Sequence, residues 1–232
     1  RARIMTSSRE RILGAVRTSL GRKRPSEAAR AAVEARLANP RPNLVPARAQ
    51  IPHEAQVELF TAKAGELAAT VERVASLAEV PERVSDYLAR HNLPPRLKLS
   101  PDASLDRIPW SERPLLEIAR GPATIDDVTS VTPAFAAIAE TGTLMLCSSS
   151  VRPTTLNFVP DNHIVVLGKD QVVGALEDAF ARLRNAGAPG EMPRAVNFVS
   201  GPSRTADIEQ QLVMGAHGPR RLHIIVVDEP LA

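Results

Sequence analysis

The sequence predicts an α/β protein with a mainly parallel sheet that helices cover on both faces. Its C-terminal half contains short apolar runs, namely "GTLMLCSS", "HIVVLG", "AVNFVS" and "LHIIVVD". Predicted helices alternate with these runs, and strands that are apolar on both faces are typical of parallel sheets buried between helices. Aromatic residues make up only 3% of the chain, so Val, Leu, Ile and Ala must build the core, which suits such layers.

The composition is that of an ordinary globular protein, with 232 residues, 44% hydrophobic and 24% charged. The chain offers few rings for stacking bases, so we predict no nucleic-acid role despite the net charge of +3. No apolar run approaches the roughly 20 residues of a membrane-spanning helix, and the N-terminus lacks the apolar core of a secretory signal. Cys147 is the single cysteine, which suits a reducing compartment. We therefore expect a soluble cytoplasmic protein.

Residues 1–52 are predicted to form a basic helical arm with a proline-rich connector, separate from a main domain at residues 53–232. Ser7 lies three residues before Glu10, the spacing of a capping box, and a helix with one apolar face follows. A second helix, "SEAARAAVEARLA", leads to "NPRPNLVPARAQIP", whose four prolines predict an extended connector. The arm docks either on its own body or on a partner chain, since so short a helix is marginal alone in water.

Helices and strands alternate along the main domain. "HEAQVELFTAKAGEL" and "EVPERVSDYLARHNLP" are predicted helices, and "ATVERVAS" and "RLKLS" are predicted strands. Further on, "VTPAFAAIAE" is predicted to be a helix before the strand "GTLMLCSS". "DQVVGALEDAFARLRNAG" is predicted to be a helix capped by Asp170 and ended by Gly187, and "SRTADIEQQLVMG" a helix before the last strand.

The stretch "SGPSRTADIE" is a candidate anion site, because ligands of open α/β sheets gather where strands end and helices begin. After the turn at Gly201, Ser203 would cap a helix. The first free amides of that helix, including the amide of Thr205, and the guanidinium of Arg204 would suit a carboxylate or phosphate. Ordinary capping, with Asp207 complementing the helix dipole, explains the same pattern.

The stretch "AETGT" holds a second candidate, Glu140, at the predicted junction between a helix and a strand. Gly142 permits a tight turn and a close backbone approach. A carboxylate here could act as a base or nucleophile, while Thr141 and Thr143 could stabilise developing negative charge. Alternatively, Glu140 simply hydrogen-bonds turn amides.

Two further residues lie in loops near these stretches. His217, in "GAHGP", is either a proton donor or a loop histidine satisfied by a backbone carbonyl. Arg152, after the strand "GTLMLCSS", could face the same cleft, but we predict a solvated loop arginine. The histidines are not spaced with acids or cysteines as a metal site requires, so no metal site is predicted.

Together, "AIAETGTLML", "VPDNHIVVLG", "GPSRTADIE" and "GAHGPRRLHIIVVD" closely resemble the LUD-domain family, and within it the lactate-utilization protein C group. The match in order, spacing and identity runs from about residue 128 to residue 228. The resemblance implies a Rossmann-like three-layer sandwich, similar to the superfamily of ribose-5-phosphate isomerase, glucosamine-6-phosphate deaminase and coenzyme A transferase.

The same resemblance implies an accessory role in the oxidation of L-lactate to pyruvate by a three-protein system. The iron–sulfur clusters are expected in partner proteins and no cofactor in this chain, because one cysteine is too few to hold a cluster. The predicted cleft, formed by residues 140–143 and 203–205 with His217, would bind a small carboxylate or other anion, or a segment of a partner protein. The alternatives are an independent transferase-like or isomerase-like enzyme that uses Glu140 as nucleophile or base, and a regulatory binding module. Whether the chain forms a homo-oligomer is left open.

Overall fold

The computed structural model describes residues 7–21, 25–187, 191–208 and 211–231. The chain divides into two compact units, Arg1–Asn43 and Leu44–Ala232, whereas the sequence places the boundary after residue 52. Among the described residues, every helix is too short or too polar to cross a bilayer.

The first unit contains two helices, α1 (Ser8–Ser19) and α2 (Glu27–Ala38), as predicted. The capping box of α1 forms, because the Glu10 amide donates to the Ser7 hydroxyl at 3.2 Å and the Ser7 amide donates to the Glu10 carboxylate at 2.9 Å. The apolar residues of α1 are exposed within this unit: Ile12, Leu13, Val16 and Leu20.

The second unit holds the remaining helices and all the described strands. In chain order they are α3 (His53–Glu66), β1 (Thr70–Val74), α4 (Val80–Arg90), β2 (Arg96–Leu99), β3 (Glu117–Arg120), β4 (Thr129–Pro133), β5 (Ala136–Ile138), β6 (Thr143–Cys147), α5 (Thr155–Phe158), β7 (Asn162–Gly168), β8 (Val172–Val173), α6 (Leu176–Asn185), β9 (Val196–Val199), β10 (Arg204–Ile208), β11 (Gln211–Met214) and β12 (Arg221–Val227).

Six parallel strands form the central sheet, in the order β1-β12-β7-β4-β2-β3. Its middle strands are buried on both faces, as their continuous apolar runs predict. Ile164 and Ile225 pack towards α4, where Tyr87 lies, while their neighbours Val165 and Ile224 pack on the opposite face with α3. The predicted α/β class with a parallel sheet is therefore confirmed.

A smaller four-stranded sheet has the order β8-β5-β6-β9. Leu144 and Leu146 of β6 face the core that contains α3, and Met145 between them packs with Ala179 and Leu183 of α6. The small sheet thus lies between α6 and the core beside α3, and it positions the turn that contains Glu140.

The prediction of a helix for "VTPAFAAIAE" is wrong, because this stretch forms the end of β4 and all of β5. Residues 131–134 and 136–140 are buried. Alanine is the strongest helix former, but intrinsic propensity is a small effect, and strand pairing on two sides outweighs it here.

The helix predicted for "SRTADIEQQLVMG" is also wrong. Its described residues form β10 and β11, which pair antiparallel, while residues 209 and 210 lie outside the described part. The β-branched residues of the stretch favour strands, and the Gly215 amide closes the hairpin by donating to the Ser203 carbonyl at 2.9 Å. Ser203 therefore does not cap a helix.

The helix predicted from Asp170 begins later, at Leu176 of α6. Val172 and Val173 pair with β5 instead, and Gly174 lies directly against the Ala49 carbonyl, where a side chain would clash. The N-cap of α6 is Ala175.

Candidate functional site

The turn that contains "AETGT" joins β5 to β6 in an antiparallel hairpin, with Ile138 paired to Thr143. Gly142 has φ +64°, and a Cβ at this position would lie 2.5 Å from the backbone nitrogen of Ala64 in α3. Glycine is required here both by the backbone conformation and by the close approach to a helix. The predicted tight turn is confirmed, although it links two strands.

Glu140 is buried in this turn and its carboxylate binds the start of α6. Its Oε1 accepts a hydrogen bond from the Leu176 amide at 3.0 Å, and its own amide donates to the Gly174 carbonyl at 3.1 Å. A guanidinium nitrogen of Arg48 lies 3.7 Å from Oε2. A negative charge is favourable at a helix N-terminus, so the carboxylate acts structurally on α6, and its catalytic role stays a prediction.

The stretch that follows β9 lies against the other end of α3. Gly201, with φ +81°, sits directly on the carbonyl of Leu67, which caps the C-terminus of α3. The Arg204 guanidinium donates to the same carbonyl at 3.0 Å. A helix C-terminus attracts a cation, so Arg204 stabilises α3, and no helix begins beside it to supply the predicted anion site.

Ser203 ties this stretch to the loop that carries His217. The Ser203 amide donates to the Pro219 carbonyl at 2.8 Å, and the His217 amide donates to the Ser203 hydroxyl at 3.2 Å. The imidazole of His217 is exposed.

The remaining predicted residues lie nearby along the chain. Thr143 and Ser200 share a hydrogen bond between their hydroxyls at 2.8 Å, which links β6 to the end of β9. Thr141 is exposed, Thr205 is half-buried, and Asp207 is a residue of β10.

We call Gly142, Gly201, Ser203, Arg204 and His217 the motif cluster. Gly142, Gly201 and Arg204 contact α3 between residues 63 and 67, and Ser203 joins His217 to them. Glu140 belongs to the same turn as Gly142 but faces α6.

A different site, which the sequence did not predict, surrounds Arg152 in the loop after β6. Its Nε donates to the buried Asp102 carboxylate at 2.5 Å, so the prediction of a solvated arginine is wrong. Two backbone hydrogen bonds between Ser149 and Arg152 close the loop into a turn, and the Ser100 hydroxyl donates to the Val151 carbonyl at 2.6 Å. The arginine is therefore held in a fixed position.

The pKa of Asp102 reflects this pairing. Burial alone would raise it, but hydrogen bonds from Ser104 and Arg152 outweigh burial and hold the pKa below its ordinary value. Asp102 is thus charged at neutral pH and fixes one edge of the guanidinium.

Two adjoining cavities open around Arg152, and we call them together the Arg152 cleft. The hydroxyl lobe, of about 800 Å³, is lined by residues including Ser148, Ser149, Ser150, Arg152, Thr154, Thr155 and Arg194. The apolar lobe, of about 470 Å³, is lined by residues including Phe135, Cys147, Leu183, Met192 and Pro193.

The Arg152 cleft lies where several strands end. Ser100 follows β2, Pro122 follows β3 and Phe135 follows β4, all strands of the parallel sheet, so the cleft occupies the carboxyl-end edge where ligands of open α/β sheets bind. The signal in the sequence is the run "SSSVRPTT", in which hydroxyl side chains surround an arginine directly after a predicted strand.

Metal-binding side chains do not gather in either place. Across the described ranges, no three His, Cys, Asp or Glu side chains come together as a metal site needs. Burial raises the pKa of Cys147 to about 11, so this thiol stays protonated at neutral pH.

Two relatives of known name align with part of this chain. Lactate utilization protein C of Shouchella clausii is 36% identical over 113 residues, covering 49% of this chain and 46% of that protein. Lactate utilization protein C 1 of Bacillus mycoides is 40% identical over 93 residues, covering 40% of each. The chain thus aligns with less than half of the length of these two relatives.

A solved structure and a family comparison cover more of the chain. The crystal structure of a DUF162 family protein from Deinococcus radiodurans covers 76% of this chain and 99% of that one, with a TM-score of 0.57 and 23% identity, which shows a shared fold. The sequence model of the LUD domain matches residues 57–227, from α3 to the end of β12. Because this match spans most of the sequence, the chain belongs to the LUD domain family.

Proposed function

We propose that this chain is an accessory subunit of a cytoplasmic L-lactate utilization system, in which iron–sulfur partner proteins oxidise L-lactate to pyruvate. The observation that carries the proposal is the identity of 36% and 40% to two proteins named lactate utilization protein C. The predicted resemblance of the motifs to the same family supports it.

The cysteine content indicates which proteins of the system hold the iron–sulfur clusters. Oxidation of lactate to pyruvate releases two electrons, which a carrier must accept. Iron–sulfur clusters need several thiolates, whereas this chain has one cysteine whose buried thiol stays protonated. The clusters therefore belong to the partner proteins, and the role of this chain is to bind, position or assemble.

Of the predicted cleft, residues 203–205 and His217 would bind the small carboxylate, while Glu140 faces α6. Arg204 uses one terminal nitrogen on the Leu67 carbonyl, and a guanidinium has five N–H donors, so others remain at the exposed surface. His217 is exposed beside Ser203 and adds a second polar group.

The accessory role is tested by anaerobic affinity purification of the tagged full chain from its source cells grown on L-lactate. We expect the eluate to contain iron–sulfur proteins and to reduce a dye when L-lactate is added. A partnerless and inactive protein would overturn the proposal. In that case, trapping a glutamyl thioester at Glu140 with acyl-coenzyme A and hydroxylamine would favour an independent transferase.

The carboxylate site is tested separately with Arg204→Ala in the same cells. Growth on L-lactate should slow while the iron–sulfur partners are still recovered, because the variant changes a surface cation and leaves the fold intact. Arg184→Ala, which removes an equal charge from the exposed surface of α6, is the matched control and should grow normally. Normal growth of Arg204→Ala would remove the site and leave the accessory role standing.

A further inference from the structure

The hydroxyl lobe of the Arg152 cleft contains side chains that each already accept one hydrogen bond. Three hydroxyls each accept a hydrogen bond from a backbone amide, two of them from a distant segment and one, that of Ser149, from its own turn. The pairs are Ser148 with the Ala195 amide at 2.8 Å, Ser149 with the Val151 amide at 3.2 Å, and Thr155 with the Ala123 amide at 3.0 Å.

A hydroxyl that accepts from an amide keeps its own proton for a second bond. Among the described residues, the hydroxyls of Ser148, Ser149 and Thr155 accept these bonds and donate none to the protein. The same side chains line the cavity. The lobe therefore offers several O–H donors to a ligand that carries acceptor oxygens.

Two arginines add charge to these donors. Arg152 is fixed by Asp102 through Nε, which leaves its terminal nitrogens for another partner. Arg194 is exposed and has no ion pair among the described residues. Among the described residues, Glu191 is the one carboxylate that lines the cleft, and it belongs to the apolar lobe. Arg152 lines both lobes, and Arg194 lines the hydroxyl lobe alone, so the hydroxyl lobe has the greater positive charge.

The apolar lobe favours a ligand that also has an apolar part. Phe135, Leu183 and Met192 line it, and Cys147 contributes a protonated thiol. Met192 lines both lobes, so the two cavities adjoin. Each has a volume typical of cavities that bind organic molecules, far more than a three-carbon acid fills.

We propose that the Arg152 cleft binds a phosphate monoester on an apolar body, with the phosphate among the hydroxyls beside Arg194 and the body in the apolar lobe. A carboxylate has two oxygens, which three hydroxyls and two arginines would more than saturate, whereas a phosphate presents three oxygens and a larger charge. This site goes beyond the lactate role and does not depend on it.

The test measures binding of phenyl phosphate to the purified full chain by isothermal titration calorimetry, with inorganic phosphate and benzoate as comparisons. Phenyl phosphate should bind about tenfold more tightly than inorganic phosphate, because its ring leaves water for the apolar lobe. It should also bind more tightly than benzoate. Absence of saturable binding by the unmodified chain, or tighter binding of benzoate, would overturn the proposal.

Two pairs of variants locate the site. Arg194→Ala should weaken phenyl phosphate binding about tenfold, since a hydrogen bond to a charged group is lost. Arg17→Ala carries the same charge change on the arm and should bind normally. Met192→Glu should weaken binding by repulsion, and Met192→Gln, which is similar in size but neutral, should bind more tightly than Met192→Glu. Equal weakening by both arginine variants would mean general charge attraction and would overturn the site.

Discussion

The motif cluster and the Arg152 cleft use polar residues in opposite ways. In the motif cluster, Gly142 and Gly201 let backbones touch α3, and Arg204 binds the last carbonyl of that helix. In the cleft, Asp102 and the backbone fix Arg152 and its neighbouring hydroxyls, but their remaining donors face a cavity. The most recognisable stretches of the sequence hold elements together, and a less recognisable loop exposes unused donors.

The comparison shows that a recognisable motif need not mark the place with the greatest binding capacity. A glycine with positive φ against a helix backbone admits no other residue at low cost, so its position is restricted by packing alone. The hydroxyl residues of the Arg152 cleft, by contrast, can be replaced without a clash, and their replacement would change what the cavity binds. The glycines of the motif cluster should therefore respond to substitution in stability alone, and the Arg152 cleft in both stability and binding.

Gly142→Ala should have the largest effect, a loss of about 3 kcal/mol in the free energy of unfolding. The added Cβ would lie 2.5 Å from the backbone of α3 at a φ of +64°. Urea unfolding followed by circular dichroism measures the loss. Gly65→Ala is the control, because nothing lies within 4 Å of a Cβ there and alanine should stabilise α3 by about 0.5 kcal/mol. Equal stability of the two variants would contradict the packing role of this turn.

Arg152→Gln should reduce the free energy of unfolding by about 2 kcal/mol at pH 7, because it leaves the Asp102 carboxylate buried without its cation. The loss should be smaller than for a fully buried pair, since the Arg152 side chain is 35% exposed. Arg194→Gln removes a cation from the same cleft without breaking an ion pair and should leave stability nearly unchanged. If both variants lost equal stability, the Asp102 pair would not be the cause.

The effect of Arg152→Gln should depend on pH. The pKa of Asp102 is held below its ordinary value of 3.8 in the folded chain, so its contribution to stability is present above that value. The contribution disappears as the pH falls from 3.8 through the lowered pKa, because the protonated carboxyl no longer needs the guanidinium. The urea midpoints of the unmodified chain and of Arg152→Gln should therefore approach each other as the pH falls below 3.8 and should coincide below the lowered pKa of Asp102. A constant difference down to pH 3 would show that the charge of Asp102 is not involved.

Glu140→Ala should cost about 1 kcal/mol, because the Leu176 amide at the start of α6 loses its acceptor. Glu140→Gln keeps an acceptor oxygen and loses only the charge near the helix N-terminus, so it should cost about 0.5 kcal/mol. Chemical denaturation of the three proteins gives the comparison. A larger loss for glutamine than for alanine would show that the hydrogen bond to α6 is not what Glu140 provides.

The sequence predicts the central sheet well because each of its middle strands is a short apolar run that can be recognised without knowing its neighbours. The runs "HIVVLG" and "LHIIVVD" are apolar on both faces, and only a strand covered by helices on both sides can bury them. The stretches "VTPAFAAIAE" and "SRTADIEQQLVMG" were predicted wrongly as helices for the opposite reason. Their residues tolerate a helix, and pairing with distant partners decides the outcome.

The Arg152 cleft could not be predicted for a related reason. Asp102, which fixes Arg152, lies 50 residues earlier, and the Ala195 amide that binds Ser148 lies 47 residues later. Nothing in the local sequence distinguishes a solvated arginine from one held by such partners. The run "SSSVRPTT" could have raised the question, and only the fold shows which hydroxyls keep free protons.

Arg204→Ala should have the smallest effect on stability, about 0.5 kcal/mol, because it removes one exposed hydrogen bond to the Leu67 carbonyl at the end of α3. Arg204→Lys keeps a cation near that helix end and should recover part of the loss. Thermal unfolding of the two variants measures the difference. If alanine is neutral for stability and still slows growth on L-lactate, Arg204 acts on a ligand or partner; a stability loss far above 1 kcal/mol would instead place it with Gly142 as a packing residue.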